Sequence, residues 1–479
     1  MYDAGMSPEE FKRLGYALID FIAEYRQGLG GLPVRAQVAP GAVRALFEPA
    51  PPQKGGGLDG VLERLRQLLP ALTHWQSPHF FAWFPSNAPL SSVLADLVAT
   101  GLGQNGITWQ ASPALTELEE VTADWLRQMF GLPEAFQGVI QDTASTGTLV
   151  ALLVAREWAS GFAQERGGLQ ALEKPLTVYT SEQAHSSVPK AALLAGFGRD
   201  NLRLIETDAQ HALKPSALEA AIERDLAQGR KPCAVVATAG TTATLAFDPL
   251  EEIAELCQRY GLWLHVDAAM AGSALILPEE RPRFAGIERA HSLVINPHKW
   301  LGVAFDCSLL YLRELEPLLR AMSTQPSYLR STVEGAVRNY KDWGIPLGRR
   351  FRALKLWFAL LDWGVEGLQA RLRRDIGNAR WLAEQVEATP GWALVAPPSL
   401  QTVCVRYDPG GLGPEALDRH TLDWVERVNR SGRAFLTPAL LKGRWMVRVS
   451  IGAEPTERLH VEALWRLMRQ EARRVEVET

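Results

Sequence analysis

The residues best suited to chemistry in this sequence follow short apolar runs. In "SLVINPHKWLG", residues 292–302, Ser292, Leu293, Val294 and Ile295 read as a buried strand. Asn296, Pro297, His298 and Lys299 come next, and Trp300 and Leu301 close over the end. A protonated lysine amine is a poor nucleophile, but burial lowers its pKa and lets it condense with a carbonyl as a Schiff base. The plainer reading is a surface lysine that happens to follow a strand. Asp267 ends another apolar run, in "LWLHVDAAMAGSA". A carboxylate there needs a cation or a hydrogen-bond donor. A protonated pyridine nitrogen meets that need, and so does the ordinary role of helix N-cap. His265 with Asp267 hints at a metal, yet no third ligand stands at a helpful spacing, so no metal is expected.

In "GVIQDTASTGTLVALLVAREWA", residues 138–159, a short strand leads into small hydroxylated residues, and an apolar helix is expected from about Thr148. Free N–H groups and the positive end of the helix dipole suit an anion, and Thr143 and Ser145 add hydroxyl donors for a phosphate. Simple N-capping is the alternative. His185, in "TSEQAHSSVPKAA", stands at a strand-to-helix junction, where an imidazole either lies flat on a ring or caps the helix. Thr242, in "TAGTTATLAFDP", is a similar strand-end hydroxyl. Together these residues supply a Schiff-base lysine, a carboxylate for a ring nitrogen, a phosphate cradle and a stacking face. Pyridoxal 5′-phosphate requires that set.

Such residues must be carried to one edge by the elements between them. From about 137 to 315, short apolar strands ("LTVYTS", "CAVVATA", "LWLHVDA", "SLVIN", "SLLYL") alternate with amphipathic helices. This argues an α/β domain with a mainly parallel sheet, whose chemistry gathers at the carboxyl ends of the strands. A long helical stretch at 354–387 precedes the strands "TVCVRYD" and "WMVRVSIG" and a terminal helix, a smaller α+β region. The expected division is an N-terminal helical arm for dimerisation (1–88), a large α/β domain (89–366) and a small α+β domain (367–479). In the arm, Ser7 is an N-cap, Pro8 the first helical residue and Glu10 completes a capping box. Phe11, Leu14, Leu18, Phe21, Ile22 and Tyr25 share one face, and Asp20 argues for a packing helix rather than a signal peptide. "THWQSPHFFAWFPSNAPL", 73–90, has too many prolines for a central strand and is too aromatic for a plain loop. "GLGQNG", 101–106, spells G-x-G-x-x-G but follows a helical pattern, so it is not a dinucleotide fingerprint.

At 479 residues, 47% hydrophobic and 22% charged, the chain has the composition of a globular protein with a sizeable core. A net charge of −4 leaves no nucleic-acid footprint, and no apolar run nears the roughly 18 residues that span a bilayer. Cys233, Cys257, Cys307 and Cys404 have no paired spacing, so reduced thiols and a cytoplasmic location are expected.

The motifs "THWQSPHFFAWFP", "ASPALTELE", "GVIQDTAS", "EQAHSSV", "HVDAAMAGSA", "NPHKWL", "FDCS", "SYL" and "IPLGRRFRALKLW" run in this order along nearly the whole chain. With them the sequence resembles the pyridoxal-phosphate-dependent group II amino-acid decarboxylases, most closely the aromatic-L-amino-acid decarboxylases. The resemblance implies a fold-type-I enzyme that works as a homodimer with sites at the interface. It implies that Lys299 carries the cofactor, with His298 beside it and Asn296 on the phosphate side. Thr143, Ala144 and Ser145 would hold the phosphate, His185 stack on the ring, Asp267 pair with its nitrogen, and Thr242 and Ala269 complete the bed. Tyr328, in "STQPSYLRSTVEG", matches a mobile-loop tyrosine that returns a proton to the substrate, within a polar stretch (323–335) suited to a lid. Phenylalanine at that position accompanies aldehyde formation in related plant enzymes. Trp83, Phe84 and Ser86, with Trp75 nearby, would wall the substrate ring. Gly348 matches a position that is glycine with indolic substrates and serine with phenolic ones. Asn105 and Ile107, which would reach the substrate across the dimer, and Met270 depart from the animal pattern. Tryptophan, tyrosine, phenylalanine and dihydroxyphenylalanine all stay open as substrates. Decarboxylation of such an aromatic L-amino acid to its amine is the expected activity. The alternatives are a glutamate or histidine decarboxylase, a decarboxylating aldehyde synthase, or a silent scaffold of the same fold.

Overall fold

A computed structural model describes residues 5–55, 57–324 and 336–474. Tyr328 and most of the polar stretch around it lie outside the described residues. Seven short segments pair into one sheet: β1 (Gln137–Gln141), β2 (Leu176–Ser181), β3 (Leu202–Ile205), β4 (Lys231–Thr238), β5 (Trp263–Asp267), β6 (Ser292–Ile295) and β7 (Ser308–Leu312). Their order is β1–β7–β6–β5–β4–β2–β3, and only β7 runs antiparallel to its neighbours. Every residue of β2, β5, β6 and β7 is buried, the expected result when helices cover both faces of a parallel sheet. The edge strand β3 buries only Ile205, and its mixed polar pattern hid it from the sequence reading.

The helices in chain order are α1 (Pro8–Gly28), α2 (Val61–Leu68), α3 (Leu90–Leu102), α4 (Pro113–Phe130), α5 (Ala144–Ser160) and α6 (Ser187–Leu194). They continue with α7 (Pro215–Ala227), α8 (Leu250–Tyr260), α9 (Glu316–Met322), α10 (Ala353–Glu387), α11 (Pro414–Arg430) and α12 (Arg458–Ala472). A second sheet, β8 (Trp392–Leu394), β9 (Thr402–Tyr407), β10 (Thr437–Leu441) and β11 (Arg444–Ser450), has the order β10–β11–β9–β8. The expected α/β architecture, with N-terminal helices and a smaller C-terminal α+β region, is present. Two units emerge: Met1–Pro85 with Glu384–Ala393 and Val405–Thr479, and Ser86–Ala383 with Leu394–Cys404.

Two elements differ from expectation. α5 starts at Ala144, a full turn before Thr148, because Thr143 keeps extended backbone and takes the N-cap position. Ala144 and Ser145 therefore lie in the helix's first turn. α10 is broken at Gly364 (φ 60°, ψ 174°), a backbone geometry that glycine adopts without steric cost. "GLGQNG" behaves as anticipated: α3 ends at Leu102 and Gly103 caps it with φ 61°. Ser7 caps α1, its Oγ accepting from the Glu10 N–H at 3.2 Å. Of the apolar face on α1 only Leu14 is buried. No helix among the described residues is long and apolar enough to cross a membrane. All four cysteines are buried and unbridged.

Candidate active site

β1 and β6 both run against β7, so the carboxyl ends of β1, β2, β4, β5 and β6 share one edge of the large sheet. The turn carrying Lys299 leaves that edge. Pro297–Leu301 form a single wide π turn, a local geometry that recurs at functional sites, and Gly302 ends it with φ 78°. Lys299 is half-buried, between fully buried His298 and Trp300. The Trp300 indole N–H donates to Asp375 Oδ2 at 2.9 Å, on α10.

Neighbours fix this turn on several sides. The Lys299 carbonyl accepts from Asn87 Nδ2 at 3.1 Å, and Arg371 donates to the Trp300 carbonyl. His298 Nδ1 accepts from the Cys307 N–H at 3.0 Å, so the ring proton sits on Nε2. Burial first, and the Lys299 charge second, depress the His298 pKa to about 3 and keep the ring neutral. Asn296 bridges to the next strand end, its N–H donating to the Ala269 carbonyl at 3.0 Å. Its buried Oδ1 has no hydrogen-bond partner.

Asp267 closes β5 and is buried, with Oδ1 accepting from the Ala269 N–H at 3.0 Å. Ala144, Ala269 and Val294 pack together, which brings the first turn of α5 against β5 and β6. Gly147 makes that approach possible: a Cβ there would meet Val294 Cγ2 at 3.0 Å. Thr143 makes no capping bond through its side chain, so simple N-capping does not explain this run of hydroxyl residues. Ser145 is exposed beside it. His185 follows β2 and is exposed, and its Nδ1 accepts from the Ser187 N–H at 3.2 Å. Surrounding protein lowers its pKa, with Asp267 pulling up and Lys299 pushing down, so the three groups share one electrostatic neighbourhood. Thr242 stands exposed on the turn after β4.

The residues expected at the substrate fall into two groups. Trp75 stacks on Phe80 (4.6 Å between centroids) and Trp83 (5.2 Å), and Arg448 lies 4.1 Å over the Phe84 ring. Trp83 itself has φ 42° and is held by Thr437 Oγ1, which accepts its N–H at 2.7 Å. Elsewhere, Asn105 Oδ1 accepts from the Arg349 N–H at 2.9 Å, and a Cβ on Gly348 would touch the Asn105 amide at 3.4 Å. Ile107 is half-buried one residue beyond Gly106, whose N–H donates to the Arg349 carbonyl at 2.9 Å. The buried Arg349–Glu119 pair (2.5 Å) anchors this loop. Met270 is buried, and Ser86 is half-buried.

The pyridoxal-dependent decarboxylase conserved domain matches residues 40–408. The chain belongs to that family. It is 40% identical over 478 residues to a phenylacetaldehyde synthase of Arabidopsis thaliana, covering 98% of this chain and 96% of the relative. It is also 40% identical to the aromatic-L-amino-acid decarboxylase of Bos taurus, over 96% of this chain and 95% of that one. The crystal structure of Oryza sativa TDC with PLP and tryptamine superposes with a TM-score of 0.94 at 35% identity, covering 98% of this chain and 99% of that chain. The cofactor of this decarboxylase is thus pyridoxal phosphate. The residues at the sheet edge fit it: a half-buried lysine, a buried carboxylate, an exposed imidazole, an orphaned amide oxygen and a hydroxyl-rich helix start without a side-chain cap.

Beneath the site lies a ladder that sequence reading missed, because His265 was weighed only as a metal ligand. His265 Nδ1 pairs with Ser292 Oγ at 2.9 Å and Nε2 with Thr148 Oγ1 at 3.3 Å, while Trp263 Nε1 donates to the same serine. It ties β5, β6 and α5 together two residues before Asp267. Burial pushes the His265 pKa down to about 4 from 6.5. A depressed folded pKa makes its stability contribution whole above about pH 6.5 and lost as pH falls toward 4. Asp248 and Asp375, pushed up to about 6 by burial, act in the opposite sense across that window. The decisive quantity is therefore the stability gap between wild type and His265→Asn. It is expected to narrow by about 1.5 kcal/mol between pH 6.5 and 5. Urea unfolding at both pH values measures it, and a constant gap would contradict a neutral buried imidazole.

Proposed function

We propose that this chain decarboxylates an aromatic L-amino acid to the aryl amine and carbon dioxide, with tryptophan and tyrosine as the leading substrates. The observation that carries the reading is that Lys299, Asp267 and His185 stand at the carboxyl ends of β6, β5 and β2, along one edge of the sheet. Pyridoxal phosphate, when bound, supplies a conjugated sink for the electron pair left on Cα as carbon dioxide departs. Lys299 would provide the amine that holds the cofactor covalently. The buried Asp267 carboxylate holds a proton on the ring nitrogen, and His185 and Ala269 pack against the ring. Thr143, Ser145 and the N–H groups around Ala144 bind the phosphate at the α5 N-terminus, with Thr242 and Asn296 as further polar partners. His298, fixed neutral with its proton on Nε2, donates from beside Lys299. Tyr328 returns a proton to Cα.

The stacked Trp75 and Trp83, with Phe84 and Ser86, are the chain's surface for an aromatic side chain. A substrate bearing a side-chain carboxylate would call for a dedicated arginine, and Arg448 is already engaged over Phe84 and at the Trp83 carbonyl. Gly348, with Asn105 and Ile107, tunes ring size: a serine side chain at 348 would press on the Asn105 amide. A second reading, aldehyde synthesis, is favoured by the 40% identity to a phenylacetaldehyde synthase. Tyr328 argues for the amine.

We place the working enzyme in the cytoplasm as a homodimer. α3 leaves Leu94, Leu97 and Leu102 each about half exposed, and α1 leaves Phe11 59% exposed, more apolar surface than single helices leave to water. Leu97→Asp is expected to yield a monomer in sedimentation velocity. A dimer unchanged by it would remove α3 from the interface.

Product analysis tests the activity. Carbon dioxide release with stoichiometric tryptamine or tyramine is expected from wild type, and none from Lys299→Ala. Tyr328→Phe is expected to shift the product from amine toward aldehyde with peroxide. Aldehyde as the main product of wild type would favour the second reading.

A further inference from the structure

Lys299 sits on a turn whose next residue is gripped twice by one helix. Arg371 and Asp375 are four residues apart on α10 and so share a face. Both are buried. Arg371 Nη2 donates to the Trp300 carbonyl at 2.5 Å, and Asp375 Oδ2 accepts the Trp300 indole N–H at 2.9 Å. Backbone and side chain of one residue are thus tied to the same rigid element. Gly302, where the turn ends, lies so close to the Arg371 guanidinium that any Cβ there would collide with it.

We propose that Arg371 and Asp375 are positioning residues for Lys299, fixing the Pro297–Leu301 turn through Trp300 so that the amine is aimed at the cofactor carbonyl. The proposal rests on the reading that Lys299 carries the cofactor. A buried carboxylate is a costly acceptor for an indole N–H, which a neutral polar side chain would also satisfy. The cost shows in Asp375, whose pKa burial pushes up to about 6 although Arg374 Nη2 lies 3.1 Å from its Oδ1. What the carboxylate adds over an apolar residue is direction: an acceptor at one place, so the indole has one orientation. Asn87 restrains the peptide on the other side, with Nδ2 3.1 Å from the Lys299 carbonyl. Three points of restraint thus hold the backbone around one lysine.

The experiment compares Asp375→Leu, which removes the indole's acceptor, with Asp375→Asn, which keeps an acceptor oxygen, and with Trp300→Phe, which removes the donor. Apo-protein is mixed with pyridoxal phosphate and the visible band of the lysine-bound cofactor is followed in time. Asp375→Leu and Trp300→Phe are expected to slow its appearance and lower kcat by on the order of tenfold, with KM within about twofold, as misaimed reacting groups require. Asp375→Asn is expected to behave as wild type, and the double variant Trp300→Phe/Asp375→Leu to be no worse than the worse single one. Folded variants, matched to wild type by circular dichroism, that load and turn over at the wild-type rate would overturn the proposal. So would an Asp375→Asn as damaged as Asp375→Leu. If Asp375→Leu does not fold, Trp300→Phe against wild type decides. A wild type that never develops the visible band instead overturns the assignment of Lys299, which keeps the two failures apart.

Discussion

A reacting lysine must have its own backbone held still, because four freely rotating bonds separate its amine from the chain. The role proposed for Lys299 depends on that constraint. The turn Pro297–Leu301 is short, wide and buried, and beyond its own backbone bonds it is tied to Asn87, Cys307, Arg371 and Asp375. The strand before it is four residues long and wholly buried, so the sheet sets where the turn begins. Lys299 alone in this stretch keeps partial exposure, which an amine needs if an aldehyde is to reach it.

The same packing decides protonation. Imidazoles beneath and beside the site are neutral because water has been removed from around them, not because a base pulls their protons away. A neutral His298 adds no positive charge beside Lys299. The His265 ladder joins three elements through hydrogen bonds to Ser292 and Thr148, and burial keeps its ring neutral. Small residues make the compactness possible. Ala144, Gly147 and Ala269 let α5 descend onto β6, which is how a helix start and a strand-end carboxylate come to share one edge.

Much of this was legible in the sequence, for physical reasons. Strands buried on both faces read as continuous apolar runs, and chemistry at their carboxyl ends follows from α/β geometry, so Asp267 and Lys299 stood out. The half-exposed edge strand β3 had no such run. The start of α5 was misread by a turn because Ser and Thr in a first helical turn look like loop. Arg371 and Asp375 were invisible for another reason. On a helix more than seventy residues downstream, a buried arginine and aspartate look like any charged surface face until the fold shows what lies against them. The gap at Gly364 shows the converse, since a single glycine inside a helical pattern gives no sign of whether its freedom is used.

The most direct test of the account is chemical trapping. Holoprotein reduced with borohydride and digested is expected to carry the pyridoxyl mass on one peptide, and fragmentation is expected to place it on Lys299. A modification located on another lysine, or a reduced protein with no modified peptide, would contradict the central claim.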